Sequence, residues 1–288
     1  MRALSAGVSA GLMGVVLLGC APEPVAPASL DTASLDTSVT TDTATVDPSV
    51  PPPPSLDAAG VEAEAATLLA GLPNAADVLQ DWRDLFLGTT PGCPGITGPF
   101  SIVAPFSGCL AEDGRIWAGY AVYTEGDAEK IDVLLEADAS VTDADGATFV
   151  AAGKASLTIT EAGAFDAAVS GTWGGAGHDD WTGAGPSVAV WATGDAASVA
   201  LTGGVSLDGA AIYLSEVTWD AATCPEGAGE LAIRDPGGWW YTLVLDADCG
   251  GCGALRYVDT DLGRACVPLG AVLAALADAT LAPPPEDG

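Results

Sequence analysis

Alternation of apolar and polar residues runs through most of residues 98–260, and it limits the folds open to this chain more than any other feature. In residues 131–138 and 165–173, apolar side chains occupy the odd positions and polar or acidic ones most of the even positions. This period of two is typical of half-buried antiparallel strands. Turn sequences such as Asp145-Gly146 and Asp208-Gly209 separate the runs. The pattern predicts about ten strands, near residues 115–124, 131–139, 147–160, 164–173, 187–193, 197–207, 211–219, 229–234, 239–247 and 254–258.

Short connections between these runs predict an antiparallel meander, in which neighbours in sequence pair in space. A sheet of this length should curl into a barrel or fold over into a sandwich. Many inward positions hold Ala or Gly, and the chain has only 5 Phe and 2 Met. The core should therefore be thin and need a second sheet or helices close against it. A β-solenoid would also accept small inward residues, but residues 98–260 show no fixed repeat.

Helical periodicity occurs along the sequence both before and after the strands. Residues 58–88 carry apolar side chains at helical spacing, with Asp57 as the N-cap and Gly71 and Pro73 in a break. They predict a short helical hairpin that packs on the β domain; the alternative is a helix that binds a partner. A C-terminal run of leucines after Leu269 predicts one more helix that caps the sheet.

The chain has seven cysteines, and six of them follow Cys20. An even number in an exported chain predicts disulfides, although sequence cannot choose among the possible pairings. We favour Cys93–Cys109 because these two are close together and remote from the others, and most simply Cys224–Cys249 and Cys252–Cys266. Two alternatives remain open. The spacing of Cys249 and Cys252 is that of a redox dithiol, and the last four cysteines could hold a zinc ion.

The chain is strongly acidic, with 39 acidic and 8 basic residues and a formal net charge of −31. Nucleic acid is excluded as a partner because neutralising phosphates requires Lys and Arg. The same charge argues against direct adsorption to anionic lipid and fits a soluble, outward-facing domain.

The N-terminus carries the clearest motif. Met1-Arg2 precedes an apolar run that ends in Leu17-Leu18-Gly19-Cys20, and these parts are typical of a secretory signal peptide. The ending resembles the lipobox of bacterial lipoproteins. The resemblance implies cleavage before Cys20, diacylglycerol on its thiol and an acyl chain such as palmitate on its new amino group. It also implies the outer membrane, because residue 21 is Ala rather than the Asp that retains lipoproteins at the inner membrane.

The alternative is an ordinary signal peptide or a transmembrane anchor. A membrane span needs about 20 apolar residues, and this shorter run is interrupted by Gly7, Gly11 and Gly14. We therefore divide the chain into a signal peptide (1–19), a lipidated, disordered tether rich in Pro, Thr and Asp (20–57), the helical hairpin (58–88), a disulfide-linked β domain (89–282) and a disordered tail (283–288).

The only histidine, His178, lies in a Gly-rich segment beside Asp179, Asp180 and Trp181. A histidine beside carboxylates can orient a water or bind a metal. The motifs that usually supply a nucleophile or a zinc-binding helix are absent from the sequence. The segment therefore reads as a loop between strands, with a hydrolase as the alternative.

Acidic turns suggest a weak calcium site. Asp143 with Asp145, and Asp259 with Asp261, offer alternating carboxylates, and calcium takes oxygen ligands. The first segment lacks the remaining positions of an EF-hand loop, and turn chemistry explains the same residues.

Eight tryptophans are many for a chain so poor in Phe. Trp173 and Trp181 lie near His178, and Trp239-Trp240 follow a Pro-Gly-Gly turn. Adjacent strand residues face opposite sides, so one of that pair should be exposed. Exposed indoles beside carboxylates suit stacking on sugars, while the competing interpretation places the rings in the core.

These observations predict a lipid-anchored protein of the cell envelope, a structural or binding module in which we identify no catalytic residue and no cofactor. The alternative is a carbohydrate- or calcium-dependent recognition module, and a hydrolase that uses the His178 loop is a third. The expected partners are the membrane through the lipid and a glycan or an envelope protein.

Overall fold

One antiparallel sheet dominates the structure. The computed structural model describes residues 53–87, 89, 92–126, 131–174 and 187–278, and within them thirteen strands follow one another in strict sequence order. The strands are β1 (Gly95–Gly98), β2 (Ser101–Leu110), β3 (Ile116–Glu125), β4 (Ile131–Thr142), β5 (Thr148–Ile159), β6 (Phe165–Gly174), β7 (Ser187–Gly194), β8 (Ser198–Leu207), β9 (Ala210–Asp220), β10 (Cys224–Arg234), β11 (Trp240–Leu245), β12 (Cys252–Tyr257) and β13 (Thr260–Cys266).

The prediction of a mainly antiparallel meander is confirmed, but its strand count and its closure are wrong. The ten predicted strands correspond to β3 to β12, and β1, β2 and β13 were missed. Alternation fails in β2 because the register shifts between Ala104 and Cys109, and β13 begins directly after an acidic turn. The sheet is a single open layer, neither a barrel nor a sandwich. Helices pack against part of its inner face.

The described residues contain three helices, α1 (Ala58–Ala70), α2 (Ala75–Leu87) and α3 (Leu269–Ala277). The Asp57 side chain caps α1 by accepting a hydrogen bond of 2.9 Å from the Gly60 amide. Helix α1 contacts β8, β9, β10 and β13, whereas α2 contacts β5 and β6 and α3 contacts β8 and β10. The first two helices therefore cover different strands, and the sheet curves around them. None of the helices in the described residues is long and apolar enough to cross a membrane.

The inner face of the sheet and the helices share one hydrophobic core. Its small Ala side chains are supplemented by large rings, among which Trp82, Trp117 and Trp173 are fully buried. The indoles of Trp82 and Trp117 meet edge to face, with 6.3 Å between their centroids. The Trp82 indole also donates a hydrogen bond of 2.8 Å to the Phe100 carbonyl. Tryptophans thus fill the space that small inward residues leave between α2 and the sheet.

Two glycines face each other in the middle of the sheet. Gly153 on β5 faces Gly171 on β6 across the ladder, and their φ angles are +157° and +106°. A Cβ atom on Gly153 would overlap the Ser170 carbonyl oxygen, and one on Gly171 would overlap the Ala152 carbonyl oxygen. Only glycine allows this backbone conformation and this approach of the two strands. The pair acts as a kink of the kind that bends a sheet.

Disulfides lie at the two ends of the sheet. The structure pairs Cys93 with Cys109, Cys224 with Cys249 and Cys252 with Cys266, which is the pairing favoured from the sequence. The cysteines of the CxxC motif belong to different bridges, so they do not form a redox dithiol here. All six cysteines after Cys20 are used, which leaves no thiolates for a zinc ion.

Candidate functional site

Part of the predicted site lies outside the described residues. Cys20, His178, Asp179, Asp180 and Trp181 all belong to this part. Trp173 is described, and its side chain is only 1% exposed. Its indole donates a hydrogen bond of 3.1 Å to the Ser170 carbonyl. The ring therefore belongs to the core and offers no surface for a ligand.

The tryptophan pair is on the surface. Trp239 is 40% exposed and Trp240 is 46% exposed, so both are accessible where only one was expected. The reason is that Trp239 still belongs to the hairpin turn: Asp235 and Trp239 close it, with the Asp235 amide donating to the Trp239 carbonyl at 3.0 Å. Only Trp240 begins strand β11 and takes its outer face.

The acidic turns form a recurring hairpin type rather than a shared ligand shell. The loops that begin at Ala111, Asp143, Thr160 and Asp235 close with the same backbone hydrogen bonds, each with a glycine at φ between +81° and +91° in the fourth position. In the second of these loops, an Asp145 carboxylate oxygen accepts from the Ala147 amide at 3.1 Å.

The second pair of calcium candidates has a similar local role. Asp261 accepts a hydrogen bond of 2.8 Å from the Gly263 amide, and Asp259 is an exposed residue of the turn between β12 and β13. Across the described part of the chain, no group of three or more His, Cys, Asp or Glu side chains is placed to hold a metal ion.

A buried polar cluster that the sequence did not reveal lies at the β10–β11 hairpin. Asp235 is 2% exposed, and its carboxylate accepts hydrogen bonds from the Ser55 hydroxyl, from the Trp239 amide at 2.8 Å and from the Tyr241 hydroxyl at 3.4 Å. The Tyr241 hydroxyl oxygen also accepts from the Ser55 and Leu56 amides, each at 3.0 Å. Together these contacts fix the chain just before α1 to the sheet.

The electrostatics of this cluster are those of a structural anchor. Burial would raise the pKa of Asp235, but hydrogen bonds from Ser55, Trp239, Gly237 and Tyr241 outweigh it and hold the pKa below its usual range. A carboxylate with a lowered pKa stays ionised at neutral pH and accepts these hydrogen bonds as a charged group. Burial beside Tyr241 and Asp235 raises the pKa of Tyr257. A depression of about 510 Å³ next to the cluster is lined by Pro54, Ser55, Leu56, Asp57 and Leu262.

Basic side chains gather on the outer face of the last strands. Arg234 on β10 lies opposite Trp240 on β11, and Arg256 on β12 lies opposite Thr242, two residues further along β11. The Arg234 guanidinium carbon lies 5.6 Å from the centroid of the Trp240 ring. In the next row, Tyr213 on β9 lies opposite Ala232 and is 51% exposed. We call Tyr213, Arg234, Trp240 and Arg256 the Arg–Trp face.

The two arginines of this face differ from the other basic residues in their partners. Arg115, Lys154 and Arg264 form ion pairs with Asp113, Glu136 and Asp246. Within the described residues, neither Arg234 nor Arg256 has a carboxylate partner, and the Arg234 Nε is buried without a hydrogen bond. Their position was the signal available in the sequence. Each arginine lies on a strand next to β11, at a position that faces the same outer side of the sheet as Trp240.

Comparisons of this chain with protein-family models, with curated proteins and with solved structures find no match.

Proposed function

We propose that this chain is an exported lipoprotein, anchored through Cys20 to the outer membrane, whose β domain serves as a binding or structural module of the cell envelope. Acyl chains on the processed N-terminus hold the protein at the bilayer, and stable anchoring takes at least two such chains. The acidic segment before α1 carries the β domain away from the lipid. No catalytic role enters this proposal.

The observation that carries the proposal is the set of three disulfides. Disulfides persist in oxidising compartments and are rare in the bacterial cytosol. A chain whose six later cysteines are all bridged therefore fits export, which is also what the segment that ends at Cys20 is expected to direct. The strongly acidic composition fits a domain surrounded by solvent.

The test is metabolic labelling with an alkyne-bearing fatty acid in a bacterial host that makes the full chain. The native chain should carry label, sediment with the outer membrane and run as a processed band. Cys20→Ala should remove the label and leave an unprocessed precursor, while Cys93→Ala is the matched control that keeps both lipid and processing. An unlabelled native chain in the soluble fraction would contradict the proposal.

Recognition of a glycan is the second candidate, and the exposure of both Trp239 and Trp240 favours it. Indole rings present a flat apolar surface with a polar N–H group, which suits the apolar face of a sugar ring. Screening the protein against an array of glycans, with and without calcium, tests this candidate and its calcium dependence together. The hydrolase alternative depends on His178, which is not among the described residues.

A further inference from the structure

We propose that the Arg–Trp face binds a glycan that carries carboxylate groups, such as a chain containing uronic acids. This inference rests on the proposed function, because it treats the chain as an exported binding module. It names the site within that module and the chemical class of its ligand.

The first step is the charge distribution. A chain with 39 acidic residues has a carboxylate available for nearly any exposed base, and Arg115, Lys154 and Arg264 each have one. Arg234 and Arg256 are the arginines of the described outer face that lack this partner. Two guanidinium groups left without carboxylates in such a chain match the charge of an anionic ligand, and guanidinium groups bind carboxylates with two parallel hydrogen bonds.

The second step is the geometry of the face. Arg234 and Arg256 flank β11 on its outer side, so their Cα atoms are separated by two strand spacings and a two-residue offset, about 12 Å in total. Trp240 lies between them, next to Arg234, and Thr242 follows it. Ala232, which lies opposite Thr242 in the same row as Arg256, carries only a methyl group. An extended ligand can therefore cross β11 with a charged group near each arginine.

The third step is the aromatic component. Tyr213 and Trp240 are both about half exposed on this face, at 51% and 46%. Stacking of sugar rings on such side chains adds apolar contact that a free phosphate or carboxylate ion would not use. This combination favours a carboxylated sugar over a simple anion.

Two acidic side chains on the same face limit the size of the ligand. Glu230 lies opposite Val244, and Asp261 lies opposite Arg256. One Asp261 carboxylate oxygen accepts from the Gly263 amide at 2.8 Å, and the carboxylate keeps its negative charge beside Arg256. Screening over about 8 Å at physiological ionic strength weakens the more distant acids, but a long polyanion would still be repelled. A short oligosaccharide is therefore the expected ligand.

The experiment titrates the full processed chain with oligogalacturonate and follows tryptophan fluorescence and heat. The matched ligand is the same oligomer with its carboxylates methyl-esterified. We expect binding of the acid form and at least a tenfold loss, about 1.4 kcal/mol, on esterification. Binding of both forms with equal affinity, or no binding of the acid form at about 1 mM, would overturn the proposal.

Variants locate the site. Arg256→Gln changes an exposed side chain and should weaken binding about tenfold, and Trp240→Ala should do the same. Lys154→Gln removes an exposed, paired base from the middle of the sheet and should leave the Kd within about twofold. An equal loss in Lys154→Gln and Arg256→Gln would show a general charge effect and contradict the site.

A membrane surface is the competing partner. If vesicles of phosphatidylglycerol bind the chain through Arg256 while oligogalacturonate does not, the face recognises lipid headgroups and the glycan proposal is wrong. Failure of the proposed lipid anchor would appear separately, as an unlabelled Cys20 in a chain that still binds the oligosaccharide.

Discussion

The middle of the sheet and its two ends are held together in different ways. Strands β3 to β8 have 8 to 12 residues each, and every residue of β4 is paired with β5. At the ends, β1 has 4 residues, β11 and β12 have 6 and β13 has 7. All three disulfides involve the end regions, and none joins two of the strands β3 to β8.

The difference shows that the end strands are held by additional links, whereas the middle strands are held by their ladders and the core. A long strand with neighbours on both sides is stabilised by its ladder and by the core beneath it. A short strand at an open edge has a ladder on one side only and frays easily. Covalent links and the Ser55–Asp235–Tyr241 cluster supply the missing constraint at the C-terminal end.

The largest expected effect comes from the glycine pair in the middle. Gly153→Ala or Gly171→Ala should destabilise the protein by roughly 3–5 kcal/mol, because the new methyl group meets the facing backbone and the φ angle is strained. Urea unfolding at equilibrium measures the change. Gly163→Ala is the control: this turn glycine has φ of +81°, and no other group lies within 4 Å of the point where its Cβ would stand, so the substitution should cost only about 1–2 kcal/mol. Equal losses at the two places would contradict the role of the glycines in the sheet's curvature.

Removing the bridge at the C-terminal edge should have the next largest effect. The double variant Cys252→Ser/Cys266→Ser opens a link between residues separated by 14 positions, which is worth about 3 kcal/mol in the chain-entropy description. Hydrogen exchange should accelerate in β12 and β13 and remain nearly unchanged in β4 and β5. If protection fell uniformly along the sheet, the distinction between ends and middle would fail.

Loss of the buried carboxylate should have a smaller, pH-dependent effect. Asp235→Asn should cost about 1–3 kcal/mol at neutral pH, because an amide NH₂ group cannot accept the bonds from Ser55 and Tyr241. The pKa of Asp235 is lowered on folding, so its contribution is complete above the unfolded value of about 3.9 and is lost as the pH falls through the native pKa. The native chain should therefore lose more stability than the variant below about pH 4.

The control for this change is Asp145→Asn, at an exposed carboxylate in the equivalent hairpin between β4 and β5. It should change the free energy of unfolding by less than about 0.5 kcal/mol. Parallel pH profiles for the native chain and Asp235→Asn would show that the cluster does not depend on the charge.

The smallest effect is expected where α1 meets the edge strand. Glu62 accepts a hydrogen bond of 2.6 Å from the Cys266 amide, and Glu62→Ala should cost about 1 kcal/mol. Faster hydrogen exchange at the Cys266 amide would be the local signature. Glu64→Ala, two residues away on the same helix, is the matched control and should leave that amide protected. If the Cys266 amide exchanged at the same rate in both variants, its hydrogen bond to Glu62 would not be what protects the edge strand.

The sequence revealed those parts of the fold that repeat a simple period. Strands β3 to β12 and the three helices could be placed because their apolar residues recur regularly. Strand β2 could not be placed, since its register shift interrupts the alternation. A barrel or a sandwich was expected because the pattern does not tell how much of the inner face α1 and α2 cover. The disulfide pairing favoured from the sequence is the one found, although the sequence alone left the other pairings open.

The candidate site was less accessible to such reasoning. Ser55 and Asp235 are 180 residues apart, and only the three-dimensional structure joins them. The alternation of residues predicts that Arg234 and Arg256 lie on the outer face of the sheet. Whether a surface arginine has a carboxylate partner, however, depends on side-chain geometry. The exposure of both Trp239 and Trp240 likewise depends on where the turn ends and β11 begins.

The order of the strands has a consequence for how the chain acquires its structure. Each strand pairs only with its neighbours in sequence, so hairpins can form one after another as the polypeptide emerges, without waiting for distant segments. The bridges close over separations of only 16, 25 and 14 residues, so each can be oxidised within its own stretch of chain. Pairing between neighbours in sequence favours rapid formation of the hairpins, and the short separations between bridged cysteines leave little opportunity for wrong pairs.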